Sequence, residues 1–441
     1  MKLKNILKIN LLVLLLLTFT ACEDFVGGDI NQDPDNPASV PVTAQMPAIQ
    51  IAMADMVGGD FSRFNCMLVQ QVEGVARQWS SFNKYSGLQP NRFDAAWQNT
   101  YESILNELSI AKASTVENGF SHYEGIVNIM TAYTLMQATD VWDDMPYSEA
   151  FQGLGNTNPK YDTQADIYSE IFKLLDESIT LLGGTSGAVA PGGEDVFYGG
   201  STGSWMLAAH AIKARGFLHQ GNYPSALIEA QAAFASRADN MSFQYEAGKP
   251  APWYRFNQGR EGDIEFHPTM RAFMTGLNDT DRLGVMDQIF NAGDHPYMIE
   301  AQNQQLISYR EIKFIEAEAL QRTGGSAADL RTAYLAGISA SFEELGLESA
   351  AYDTYVAQAT VDAGEGNITL DDIMMQKYFA LFLQPETYSD WRRTNIPALT
   401  PVSGSDIPVR WFYSTDEYLF NSNSPTEAET NIYKNRVGWN R

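Results

Sequence analysis

Five histidines, two cysteines and 54 acidic residues are the groups with which this 441-residue chain could do chemistry. The histidines are His122, His210, His219, His267 and His295, and no two have HxxxH or HExxH spacing. That spacing would set two imidazoles on one helical face for zinc. No GxxxxGK[ST] offers a phosphate cradle. Cys66 falls inside an apolar helical pattern, where a thiol serves as a small core residue. Glycoside cleavage needs two carboxylates across a cleft. The abundance of acids leaves such a pair open, but no motif selects one. The spacing therefore predicts no catalytic residue, no metal and no cofactor.

Residues suited to binding are easier to find. A sugar ring has apolar C–H faces and a rim of hydroxyls. Aromatic side chains cover the faces, and Asp, Asn and Arg exchange hydrogen bonds with the rim. Two stretches combine these types without a sustained period. In residues 77–92 (RQWSSFNKYSGLQPNR), Trp79 stands beside Arg77, Asn83 and Tyr85. In residues 252–260, Trp253 stands with Tyr254, Arg255 and Asn257. Both read as loops held up by helices, where binding residues concentrate. The alternative for Trp79 and Trp253 is that each covers a small core of its own loop. Trp97, Trp142, Trp205 and Trp391 lie on helical faces and are expected in the core. Arg392 and Arg393 are expected in structural ion pairs.

The elements that must position these loops are helical. Ile49, Ala52, Met53 and Met56, then Phe64, Met67, Leu68, Val72 and Val75, predict two helices within residues 45–76, separated by Gly58-Gly59. Helical spacing resumes over 93–113 and 123–138, predicting an antiparallel pair. The second of these ends where Asp140, Asp143 and Asp144 bracket Val141 and Trp142, and Met145-Pro146 stops any helix. Thr163 and Asp166 open a helix over 165–182. The glycine-rich stretch 183–203 reads as a mobile connection, after which Ser204 caps a helix over 205–220. Gly221-Asn222-Tyr223-Pro224-Ser225-Ala226 then has the form of a tetratricopeptide turn, and residues 306–345 repeat the arrangement around Gly324-Gly325. Residues 243–266 and 346–366 are long insertions with little period. The fold class is all-α, with tetratricopeptide-like helix pairs and long loop insertions forming a binding surface.

Lys2, Lys4 and Lys8 precede an apolar run and then Thr20-Ala21-Cys22, the plan of a lipoprotein signal. The organisation expected is a signal peptide over 1–21, a lipidated Cys22 with a flexible tether over 22–41, and one helical domain over 42–441. Asp33 and Asp35 in the tether lack the glycine and glutamate of a calcium loop. With Cys66 the only other cysteine, no intrachain disulfide can form in the mature chain. A formal net charge of −25 argues against nucleic acid as a partner.

The segments DVWDDMPYSEA (140–150), LISYREIKFIEAEALQRTG (306–324), AYLAGISASFEELG (333–346), IMMQKYFALFLQPETYSDWRRTNIPALTP (373–401) and IPVRWFYSTDEYLFN (407–421) stand in the order of the SusD/RagB family of Bacteroidetes surface lipoproteins. The chain resembles that family over nearly all of its mature length. Asp143 stands where the family usually has glycine, and Ser414 where it often has proline. The resemblance implies a non-enzymatic lipoprotein on the outer-membrane surface. It would capture a glycan and deliver it to a SusC-like TonB-dependent transporter. It places ligand-binding aromatics in the loop after the early helices, the region of Trp79. The same architecture binding oligopeptides, as RagB-like members do, is the alternative; a glycan-degrading enzyme is the alternative of another class.

Overall fold

A computed structural model describes residues 40–290 and 295–440. The signal peptide, Cys22 and most of the tether lie outside the described residues. In chain order the elements are α1 (Val42–Met56), α2 (Ser62–Leu68), β1 (Val72–Gly74), α3 (Arg77–Asn83), α4 (Asp94–Gln98), α5 (Glu107–Asn118), α6 (Ser121–Trp142), β2 (Met145–Pro146), β3 (Tyr161–Asp162), α7 (Gln164–Leu182), α8 (Thr202–His219) and α9 (Tyr223–Ala232). They continue with β4 (Met241–Gln244), α10 (Pro252–Arg260), β5 (Ile264–Phe266), α11 (Pro268–Gly276), α12 (Thr280–Met286), β6 (Asn303–Ile307), α13 (Tyr309–Thr323), α14 (Ala327–Glu344), α15 (Ser349–Val356), α16 (Leu370–Ala380), α17 (Glu386–Thr394) and α18 (Thr415–Phe420). The fold is helical. Its strands make three short antiparallel ribbons among the described residues: β1 with β5, β2 with β3, and β4 with β6.

Helix α6 is the axis of the molecule. Of its 22 residues 19 are buried, so it has no solvent face and is packed on by α5, α7 and α8. Its last residue, Trp142, packs edge-on against Phe61, Trp97 and Trp411, with ring centroids 5.6, 4.8 and 5.7 Å away. The indole N–H donates to the Phe412 carbonyl at 2.9 Å. Trp97, Trp205 and Trp391 are buried as well, so all four helix-face tryptophans are core. Asp143 ends α6 at φ 75°, ψ −125°, a conformation that costs a side-chain-bearing residue strain. A glycine would adopt it without that strain, having no Cβ. Here the carboxylate is put to use: it accepts the Gly438 N–H at 2.6 Å and lies 3.5 Å from the buried Arg410 guanidinium.

The helix hairpins form as expected. Gly221, at φ 70°, reverses the chain between α8 and α9, and Asn222 accepts the Ser225 N–H to start α9. Gly324, at φ 67°, does the same between α13 and α14. At Gly337 any Cβ would run into the Phe314 ring at about 2.8 Å, so glycine there sets how closely α13 and α14 approach.

Several expectations are corrected. The second early helix stops at Leu68 instead of running to residue 76; Val72–Gly74 turns into a strand because Ile264–Phe266 offers it a ladder. The glycine-rich stretch 183–203 is pinned by Asp195, which accepts from Gln50 Nε2 and Trp205 Nε1, both at 2.7 Å, and from the Gly200 N–H at 2.9 Å. Ser201, one turn earlier than Ser204, caps α8. The insertions 243–266 and 346–366 contain α10 and α15, helices too short to show a period. Arg393 makes the expected ion pairs, to Glu318 and Asp390. Arg392 does not: its guanidinium donates to the Tyr388 and Val409 carbonyls and the Ser389 hydroxyl.

Candidate functional site

The two stretches singled out for binding are helices, and their tryptophans face inward. In α3 the i, i+3 spacing puts Trp79 and Phe82 on one side of a short helix, under α2. Trp79 is only 6% exposed, with ring centroids of Phe64, Phe82 and Phe256 at 5.5, 5.3 and 5.1 Å. Asn83 and Tyr85 are buried too, and the Tyr85 hydroxyl accepts the Val402 N–H at 3.2 Å. In α10 Trp253 is 1% exposed and donates its indole N–H to Ser62 Oγ at 2.8 Å. The expectation that Trp79 and Trp253 stand in open loops is therefore overturned. An aperiodic seven-residue segment still has an inner face when helices surround it, and burying a tryptophan there is more favourable than exposing it. Arg77 and Arg255 do reach solvent, with side chains 53% and 50% exposed. Arg77 pairs with Asp263 at 2.8 Å, and Arg255 with Asp55 at 3.2 Å. Tyr254 and Asn257 are half-buried.

The stretches meet at one side chain that the composition did not single out. Phe256, on α10, packs against Trp79 below and lines an open cleft of about 330 Å³ above. Asp55, Asp60, Arg63, Asn99 and Arg255 line the same cleft. Its floor is the π-helical turn 57–61 between α1 and α2, where Gly59 adopts φ −90°, ψ −127°. A second π-helical segment, 99–106, contributes Asn99. Such segments interrupt the regular ladder and frequently occur at functional sites. Gly58 is needed here, since a Cβ would collide with the Gln304 amide and crowd Pro252 at the start of α10.

Opposite charges alternate around the cleft. Arg63 pairs with Asp60 at 2.8 Å, and its guanidinium lies 5.0 Å from the centre of the Phe256 ring. Asp55 also accepts the Tyr245 hydroxyl at 2.6 Å. Burial, and then that carboxylate, hold the phenol above its ordinary range. The rim thus offers guanidinium donors, carboxylate acceptors and an amide around a small aromatic patch. This set suits a neutral polyhydroxylated ligand, which needs donors and acceptors interleaved. Only Arg255 of this rim was foreseen. Asp60 and Arg63, spaced i, i+3 just after Gly58-Gly59, were the signal available in the sequence.

The groups that could react lie elsewhere. Burial pushes the Cys66 thiol up to about 12, the range of an inert core thiol. His219 is enclosed with Asp140 and Glu386, at 3.1 and 2.7 Å. Burial alone would lower its pKa, but the two carboxylates raise it to about 9. Glu386 also lies 3.5 Å from Arg215, which pairs with Glu311 at 2.6 Å. This buried network ties α6, α8, α13 and α17 together. No group of three or more His, Cys, Asp or Glu is arranged for a metal among the described residues.

A family model described as starch-binding and associating with the outer membrane, SusD-like, matches residues 34–288 and 285–414. No curated protein matches the sequence. Among solved structures, a SusD/RagB family protein from Bacteroides thetaiotaomicron superposes with a TM-score of 0.74 at 20% identity, covering 91% of this chain and 99% of its own. A chitin-binding protein gives 0.73 at 23% identity, covering 89% and 99%. A SusD homolog from Bacteroides uniformis gives 0.71 at 19% identity, covering 90% and 99%. At these identities the structures establish the fold.

Proposed function

Because the chain belongs to the SusD-like family of starch-binding proteins that associate with the outer membrane, we propose that it is a cell-surface lipoprotein that captures oligo- or polysaccharide in the cleft between α1 and α10. It then hands the glycan to a TonB-dependent transporter without cleaving it. The observation that carries this reading is the cleft's rim, where Asp55, Asp60, Arg63 and Arg255 alternate in charge around Phe256. Hydroxyls can insert between these groups as donor and acceptor at once. The lipoprotein signal ending at Cys22 supports the surface location.

Affinity electrophoresis of the purified soluble domain against a polysaccharide panel, run beside a peptide library, tests the ligand class. Retention by a polysaccharide and unshortened chains after long incubation are expected. Binding confined to peptides, or shortened chains at catalytic rates, would overturn the reading.

A further inference from the structure

Eight tryptophans occur in the chain, and a tryptophan must be accessible to meet a ligand. Seven are buried: Trp79, Trp97, Trp142, Trp205, Trp253, Trp391 and Trp411. Trp439 alone is half-buried, and it lines an open pocket of about 390 Å³ away from the cleft. Beside it in that pocket stand Asp144, Thr163, Gln164, Tyr168 and Gln220.

The indole is held firmly on its protein side. Its N–H donates to Asp140 Oδ1 at 2.7 Å, and its backbone N–H donates to Gln164 Oε1 at 2.8 Å. The His219 ring stacks on it, centroids 5.2 Å apart, and the Arg392 guanidinium lies 5.0 Å from its centre. Tyr168 donates to the same Asp140 oxygen. The neighbouring Gly438 N–H is taken by Asp143 at 2.6 Å. An aromatic ring fixed by this many contacts loses little freedom when a ligand covers what remains exposed.

The rest of the pocket supplies unused polar groups. One oxygen of Asp144 accepts the Gln164 N–H at 2.8 Å; the other has no partner among the described residues. The exposed Gln220 amide has none either, though it can donate and accept. A preorganised indole, with a carboxylate oxygen and an amide that have no partner among the described residues, meets one sugar ring: C–H groups against the indole, hydroxyls against Asp144 and Gln220.

We propose that the pocket formed by Trp439, Asp144 and Gln220 is a second saccharide site, which takes one ring of a neutral glycan. This rests on the glycan-binding reading of the chain and adds a subsite separate from the α1–α10 cleft. Two sites that engage one long polysaccharide would raise its retention by avidity.

The test uses the soluble domain carrying 5-fluorotryptophan, titrated with maltoheptaose and with chitohexaose and followed by fluorine NMR. Trp439→Phe identifies the Trp439 resonance. A saturable shift of that resonance with one of the two saccharides is expected. Gln220→Ala removes an exposed, unpartnered side chain, so the fold stays intact, and it should weaken that titration about fivefold. Arg255→Ala, in the other cleft, should leave the Trp439 shift unchanged. If the domain binds either saccharide while the Trp439 resonance stays still, or if Gln220→Ala titrates like the parent, the second site is overturned and the glycan reading stands. If neither saccharide binds anywhere on the domain, the second site is overturned, and the polysaccharide panel decides the glycan reading.

Discussion

Trp79→Ala separates a buried wedge from a ligand platform. The indole is enclosed by Phe64, Phe82 and Phe256 and is only 6% exposed. Truncating a tryptophan in such a setting costs about 3–5 kcal/mol, because the surrounding rings cannot close the hole. A domain of about 400 residues has an unfolding entropy near 0.8 kcal/mol/K, so the melting temperature should fall by about 4–6 °C. The Trp79 Nε1 donor has no acceptor among the described residues, so Trp79→Phe discards no hydrogen bond seen there. That variant should lose only about 1–2 kcal/mol. Thermal melting by circular dichroism, with Trp142→Ala as the reference for a core loss, measures both. A Trp79→Ala protein that melts with the parent yet loses polysaccharide binding would refute the reasoning and return Trp79 to the surface.

Asp143→Gly relieves about 1–3 kcal/mol of backbone strain. It also removes the Gly438 contact, worth about 1.5–3 kcal/mol, and leaves the buried Arg410 short of a counter-charge. Urea denaturation should show it less stable than the parent, with Asp143→Asn between them; a Gly variant more stable than the parent would mean those contacts are worth less than the strain relieved. His219 has a folded pKa raised from 6.5 to about 9, so its contribution is complete below pH 6.5 and is lost as pH rises through 9. Unfolding free energy should fall by about 3 kcal/mol across that window. His219→Gln should flatten this fall, and an equally steep fall in that variant would contradict the assignment. Cys22→Ser should leave the soluble domain folded but release it from the outer membrane; a serine variant still in the membrane fraction of cells lacking the transporter would remove the lipid anchor from the account.

The helical framework was legible because its signals are local. Thr163 with Asp166, Gly221 and Gly324 each act within one turn of the residue that carries them, and the structure places a cap or a reversal at each. Trp142 was legible as core because its helix repeats apolar residues at three and four over several turns. Trp79 and Trp253 were misread for the opposite reason. Helices α3 and α10 are too short to display a period, and their tryptophans are buried by other elements: Phe64 of α2 and Phe256 of α10 cover Trp79, and Ser62 of α2 meets Trp253. The pinning of 183–203 was invisible because Asp195 finds its partners at Gln50 and Trp205 through the fold. The cleft shares this property: Asp60, Asn99 and Phe256 come from three separate stretches, and only packing makes them neighbours. Trp439 gave no periodic signal either, being part of one short turn.

The claim that the α1–α10 cleft holds the glycan is tested most directly by Arg255→Ala combined with Asp60→Asn. Both side chains reach solvent, so the melting temperature should stay within about 1 °C of the parent. Affinity for the polysaccharide that retains the parent should fall about tenfold or more in isothermal titration, the loss expected when two rim groups stop bonding to hydroxyls. Parental affinity in this double variant would contradict the account and move the glycan to another face of the molecule.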